Sequence, residues 1–313
     1  MYTIGIDLGG TSTKIGIVNN DGKVLKITSL DKEFYGDIHL FVEKIAESIS
    51  AFGEKHIAGI GIGAPNANYR TGTIDYPPNL PWKGVTPLAE MISAKTNLPV
   101  KMTNDANAAA IGEMKFGAAR GMTDFIIITL GTGVGSGIVV NGELIVGNNG
   151  FAGELGHTIV QADGRLCGCG RKGCLEAYTS ATGVARSARE WLAESDEPSL
   201  LRNIAIEKIT SKDVNDAAVK GDALALRVYE YTGKILGEAF AGFIAFSNPE
   251  AIILFGGLTG AGDLLLNPIK ENVDKNVLPI FRGKTKILIS TLPDSDAAIL
   301  GASALVSDSN SKS

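Results

Sequence analysis

The stretch GELGHTIVQADGRLCGCGRKGCLE, residues 153–176, holds all three cysteines of the chain, Cys167, Cys169 and Cys174, and one of its three histidines, His157. One imidazole nitrogen and three thiolates form a ligand set for tetrahedral structural zinc, and the neighbouring Arg171 and Lys172 favour the deprotonated thiols that a metal needs. The step from Cys167 to Cys169 is tighter than the common C-x-x-C spacing, and three free buried thiols are the alternative reading. Glu154 and Glu176 lie just outside the ligands. A metal knuckle fixes its neighbours, and a ligand histidine keeps a second ring nitrogen, so the segment can shape a pocket for a molecule rich in hydroxyls. GCGRKG also fits G-x-G-x-x-G, but no apolar strand leads into it, as a dinucleotide site requires.

Two glycine turns offer a second chemistry. DLGGT (7–11) and GTGVG (131–135) each follow an apolar strand directly. Without side chains in the way, several backbone N–H groups can point at one anion; a plain tight hairpin is the other reading of each. FGG at 255–257 is a third glycine end of an apolar strand. Asp7 is placed to hold Mg²⁺ through water, which a nucleoside triphosphate requires. TNDANAAA (103–110) puts Asn104 and Asp105 where a strand passes into a helix. Both residue types cap helices well. An aspartate there can also take the proton of a hydroxyl whose oxygen attacks phosphorus, and the two roles are compatible. LPIFRGKT (278–285) ends like a P-loop, but Leu278 stands where the first glycine belongs, so it lacks the phosphate cradle.

The elements that must carry these residues alternate. Residues 3–28 read as a β-meander with the NNDG hairpin signal at 19–22. Then follow a helix over 38–52, a buried strand over 57–65, a helix over 86–99, and a strand feeding a helix over 100–121. The pattern restarts with DFIIITLGTGVGSGIVVNGELIVG. Laying Leu8 on Leu130 matches Gly9 with Gly131, Ile17 with Val139 and Asn19 with Asn141, so two related hairpin-led halves facing a cleft are expected. A long helix over 221–248, a buried strand over 251–257 and a closing helix over 296–306 complete the reading. The class is α/β. At 313 residues the chain exceeds a single core, and we divide it into a small lobe, 1–120, joined by a C-terminal helix 296–308, and a large lobe, 121–295, that carries the knuckle 157–174.

The net charge of -5 and the lack of a basic run argue against nucleic acid and anionic membranes as partners. The 39 glycines are well above the usual share of about 7%, which suits chemistry done by bare backbone. No segment reads as a signal peptide or membrane span, so a cytoplasmic protein is expected.

DLGGT, PPNLPW (77–82), TNDANAAA, GTGVGSG, GELGH and CGCGRKGCLE, in this order over nearly the whole chain, resemble the ROK family of sugar kinases and sugar-responsive repressors, and most of all its bacterial glucokinases. The resemblance implies an actin-like ATPase (ribonuclease H-like) fold, two α/β lobes around a cleft. It implies ATP-dependent phosphorylation of the 6-hydroxyl of glucose, with Asp105 as catalytic base. Asn79, Asn104, Glu154, His157 and Glu176 would hold the other hydroxyls. ATP phosphates would meet Asp7, Gly9, Gly10, Thr11, Gly131, Thr132 and Gly133, and adenosine Gly256 and Gly257. His157, Cys167, Cys169 and Cys174 would bind zinc. Fructose, N-acetylmannosamine and N-acetylglucosamine are alternative substrates, polyphosphate an alternative donor, and a sugar-binding regulator without catalysis the rival; Asp7 already lies in the phosphate loop, which leaves no room ahead of it for a DNA reader. A homodimer is also implied. The chain departs from the family in GAPNAN (63–68), where Asn66 replaces a glycine in a loop beside the sugar.

Overall fold

The computed structural model describes residues 1–77, 80–293 and 296–307. Three strands, β1 (Tyr2–Leu8), β2 (Ser12–Asn19) and β3 (Val24–Asp31), form the opening meander. α1 (Ile38–Ala51) follows, capped by Asp37, whose carboxylate accepts from the N–H groups of His39 and Leu40. Its buried residues Phe41, Val42, Ile45 and Ile49 recur at helical spacing and pack on Ile4, Ile6, Ile15 and Ile17. Each such side chain contributes roughly 1.5–3 kcal/mol on leaving water. Next come β4 (Ile57–Gly63), a small antiparallel sheet of β5 (Ala67–Asn68), β6 (Thr73–Asp75) and β7 (Val85–Thr86), then α2 (Leu88–Thr96), β8 (Val100–Thr103) and α3 (Asp105–Phe116).

The second run begins with β9 (Phe125–Leu130), β10 (Val134–Val140) and β11 (Glu143–Leu144). After the cysteine segment come α4 (Glu176–Thr179), α5 (Ala181–Glu194), α6 (Ser211–Val219) and α7 (Ala223–Ser247). β12 (Ala251–Phe255), α8 (Asp263–Asn276), β13 (Lys286–Ile289) and α9 (Ala297–Ser307) end the described chain. α7 lies along α8, and Gly233 and Gly237 make the close approach possible: a Cβ there would sit 2.5 Å from Pro268 and 2.6 Å from Asn272. No helix of the described residues is long and apolar enough to cross a membrane.

The chain forms two compact units. The first comprises Met1–Met122, Gly137–Gly153 and the chain from Ser290 onward; the second comprises Thr123–Ser136 and Glu154–Ile289. One five-stranded sheet has the order β3-β2-β1-β4-β8, the other β11-β10-β9-β12-β13. In each, a hairpin-led pair is followed by two strands running parallel to its first member. The strand orders correspond position by position, as the matched sequences of the two hairpins lead one to expect. In the first unit α9 lies directly on β1 and β4, where added Cβ atoms at Gly5 and Gly61 would run into the carbonyls of Ile299 and Ala302.

Candidate functional site

In the first unit the parallel strands β1, β4 and β8 end level, with Asp7, Gly63 and Thr103 as register partners. Ligand sites of α/β sheets form at such carboxyl ends. The chain leaves β1 in the glycine turn, where Gly9 N–H donates to Ser12 O at 3.0 Å and the Tyr35 hydroxyl donates to Gly9 O at 2.9 Å. Gly10 and Thr11 are exposed at its tip. β8 passes straight into α3. Asn104 is its cap, with extended backbone and an Oδ1 that accepts from Asn107 N–H at 2.7 Å. Asp105 is the first helical residue, exposed, with Oδ1 accepting from Ala106 N–H at 2.9 Å. Gly63 lets this first turn lie over β4, since a Cβ there would stand 3.3 Å from Ala108 Cβ and 3.8 Å from Asp105 Cα. Burial, and after it the charge of Asp105, holds the Asp7 carboxyl above its ordinary range, with Lys14 opposing. A buried carboxyl raised in part by a second carboxylate nearby favours a cation. Asn79 lies outside the described residues.

The second unit holds the other candidates. In the turn after β9, Gly131 N–H donates to Gly133 O at 3.1 Å. The start of α5 grips the same turn: Ala181 N–H donates to Gly131 O at 2.8 Å and Thr182 Oγ1 to Thr132 O at 3.0 Å. Glu176 opens α4, and its Oε2 accepts from Val134 N–H at 2.9 Å. A Cβ on Gly133 would run into that same oxygen, so a side chain here would push the Glu176 carboxylate off Val134. Gly256 and Gly257 follow β12, whose Phe255 is the register partner of Thr129, and a Cβ at Gly256 would come within 2.7 Å of Leu130 O. The turns at 131 and 256 therefore meet at one sheet end. Glu154 is exposed just before the short turn that carries His157.

The ligand atoms of His157, Cys167, Cys169 and Cys174 all lie within 4.8 Å of one another. Cys169 and Cys174 Sγ are 3.7 Å apart, and Cys167 Sγ is 3.8 Å from His157 Nδ1. Tetrahedral zinc with sulfur at about 2.3 Å and nitrogen at about 2.0 Å would space its ligand atoms by about 3.5–3.8 Å. A disulfide would need about 2.05 Å. The set fits a tetrahedral metal. Without a cation, burial pushes the Cys167 thiol up to about 12, and it sits 3.3 Å from Glu176 Oε1. The knuckle is also stitched by backbone, Cys167 N–H to Arg171 O at 2.8 Å and Gly173 N–H to Arg165 O at 2.8 Å. Gly173 has φ +82° and no room for a Cβ beside Gln161 O, which accounts for one of the glycines that mimic a nucleotide fingerprint.

Arg165 and Glu113 had no strong sequence signal, and Asn66 stood out only as a departure from the family. Arg165, inside the knuckle, stacks 4.8 Å over the Tyr178 ring and bonds Ser187 Oγ at 3.0 Å and Glu190 at 2.5 Å, bracing the ligands on α5. Its place between ligands was the only hint. Glu113 is fully buried, and burial holds its carboxyl above the ordinary range. It accepts from Ala118 N–H at 2.6 Å and from the Ser290 hydroxyl, near where the chain leaves and re-enters the first unit. Asn66, the departure from the family, has φ +52°, where glycine is favoured and asparagine is the side chain best tolerated. Its Nδ2 donates to Asp75 O at 3.1 Å and Tyr76 O at 3.2 Å. The substitution is conformationally conservative.

The chain is 39% identical over 310 residues to a glucokinase of Thermotoga maritima, covering 97% of each. A xylose repressor of Caldicellulosiruptor bescii is 31% identical, matching 97% of this chain and 77% of the repressor. Among solved structures, a ROK family glucokinase from Streptomyces griseus in complex with glucose and AMPPNP superposes with TM-score 0.79 at 32% identity, covering 97% of this chain and 99% of that one. The fold is the actin-like ATPase fold of ROK sugar kinases, in two α/β lobes. The ROK family model matches residues 3–309, and the chain belongs to that family.

Proposed function

We propose that the chain is an ATP-dependent glucokinase that phosphorylates the 6-hydroxyl of glucose. The observation that carries the reading is Asp105: an exposed carboxylate at the first turn of α3, beside Asp7, in a chain 39% identical to a glucokinase over nearly its full length. Asp105 orients the 6-hydroxyl and takes its proton as the oxygen attacks the γ-phosphorus of ATP. Asn104, Asn79, Glu154, His157 and Glu176 hold the remaining hydroxyls. The backbone N–H groups of the turns at Gly9–Thr11 and Gly131–Gly133 bind phosphate, and Gly256 and Gly257 flank the adenosine. Asp7 would hold Mg²⁺, which when bound offsets charge on the phosphates. His157, Cys167, Cys169 and Cys174 would hold zinc, whose part is to fix the backbone between Glu154 and Glu176. Lobe closure on the sugar keeps water from competing for the phosphoryl group. The protein works in the cytoplasm as a homodimer.

The test is a coupled assay of ADP formation over glucose, fructose, N-acetylmannosamine and N-acetylglucosamine. The highest kcat/KM is expected for glucose. Tight sugar binding with no ATP turnover on any of them would overturn the reading in favour of a regulator.

A further inference from the structure

Among the described residues, six other than glycine have positive φ: Asn66, Tyr76, Asn97, Asn141, Asp163 and Asn248. Five are asparagine or aspartate, whose short polar side chains tolerate the left-handed region. Tyr76, at φ +47°, is the exception. A bulky side chain in this region carries a strain that glycine or asparagine would avoid, and such strain persists only where surrounding structure over-determines it. Here it does. Tyr76 N–H donates to Gly84 O at 2.8 Å, and its carbonyl accepts from Asn66 Nδ2 at 3.2 Å. Asp75, the residue before it, is held at both ends by Asn66, N–H to Asn66 O at 3.0 Å and carbonyl to Asn66 Nδ2 at 3.1 Å. The backbone is thus fixed on both sides of a strained residue.

Packing does not explain the tyrosine. Its side chain is not in the core: Tyr76 is 73% exposed, against 39% for Tyr69 nearby. Strain without burial leaves the ring itself as the reason for the residue. Asn66, which holds Tyr76, follows Gly63 by three residues, and Gly63 closes β4 level with Asp7 and Thr103 at the sheet end where the proposed function puts the sugar. Hexopyranoses present faces of C–H groups between their equatorial hydroxyls, and the negative face of an aromatic ring attracts such edges. Because the backbone is already fixed, ordering on binding is confined to the rotamers of the ring.

We infer that Tyr76, held by Asn66, is a sugar-stacking residue that sets affinity for the hexopyranose ring. This rests on the hexose-kinase reading and adds to it a specificity-determining residue. It also gives Asn66 a function: the asparagine that replaces the family's glycine keeps the left-handed turn and adds the amide that fixes Tyr76.

The experiment compares wild type, Tyr76→Asn and Tyr76→Phe by calorimetric titration of glucose into ATP-free protein, coupled kinetics, and Tm on the same preparations. Tyr76→Asn keeps a residue that tolerates the backbone and removes the ring. It is expected to raise both glucose Kd and KM about 5- to 10-fold, with kcat and the ATP KM within about twofold. Its Tm should not fall, because strain is relieved. Tyr76→Phe keeps the ring and should recover glucose affinity to within about twofold of wild type. Unchanged glucose affinity in Tyr76→Asn, or a loss of affinity that tracks a falling Tm, overturns the assignment. If wild type phosphorylates glucose while Tyr76→Asn binds it normally, only the role of Tyr76 fails. If wild type binds no hexose, both readings fail together.

Discussion

The two glycine turns stand at matching places in two sheets of matching strand order, yet they are equipped differently. In the first, Asp7 lies at the end of β1 and is raised by burial and by Asp105. In the second, the position aligned with Asp7 is Thr129, whose hydroxyl accepts from Gly135 N–H at 3.1 Å. The first turn is held by Tyr35; the second is clamped by the start of α5 and by Glu176, which also touches the cysteine knuckle. One turn carries an acidic residue on its own strand, Asp7; the other carries Thr129 there and is braced from outside by Glu176 and the start of α5. The proposed function uses the difference: it assigns proton transfer and cation binding to the first turn and fixed N–H donors to the second.

This division of labour can be broken most severely at Asp105. Asp105→Asn should lower kcat about 10³-fold with glucose Kd changed by no more than about threefold; coupled kinetics and calorimetry that found near-normal turnover would remove the chemistry from the first copy. The knuckle comes next. Elemental analysis should find one zinc per chain. Cys174→Ala, at a buried ligand, should abolish stoichiometric metal and lower Tm by roughly 10 °C. Folded, active wild type without metal would leave the second turn with no such brace. A smaller effect separates the turns themselves. Gly133→Ala drives a Cβ into a Glu176 oxygen that Val134 holds, so Tm of the ligand-free protein should fall by about 3 °C. Gly9→Ala, whose Cβ would be 3.2 Å from Ser12 O, should cost less than Gly133→Ala, and the opposite ranking would contradict the clamp.

Asp7 gives the smallest and most diagnostic shift. A carboxyl whose folded pKa is raised destabilises the fold wherever it is ionised, because the folded state binds the proton more tightly than the unfolded chain. Asp7→Asn should therefore abolish activity while raising Tm at pH 7 by on the order of 2 °C. Scanning calorimetry should show the gain fading as pH falls through the folded pKa toward the ordinary value of 3.8, where the carboxyl is protonated in both states. A Tm gain that grew on acidification would reverse the sign of the electrostatics assigned to this site.

Much of the candidate site can be picked out in the sequence because it is built from local signals. Glycine turns after apolar strands, an Asn-Asp pair at a strand-to-helix junction, and four ligand residues of two types within eighteen residues all declare themselves by spacing. The elements follow suit: the helix read over 221–248 is α7 at Ala223–Ser247, and the strand read over 57–65 is β4 at Ile57–Gly63. What stayed hidden depends on contacts between distant residues. Nothing near Glu113 in sequence announces Ser290, and nothing around Gly133 announces that Glu176 occupies the space where a side chain would go. Asn66 is instructive in the other direction: as a sequence it reads as a departure, and only its φ shows that it fills the same conformational role as glycine.

The packing of α9 onto the glycines of β1 and β4 has a consequence for synthesis. The sheet β3-β2-β1-β4-β8 is complete once β8 has emerged, yet the helix that fits against Gly5 and Gly61 begins at Ala297. Until then those glycine-lined strand faces have no cover, while the segments of the second unit, ending at Ile289, are already available. On a ribosome, the half translated first should be the half that finishes folding last.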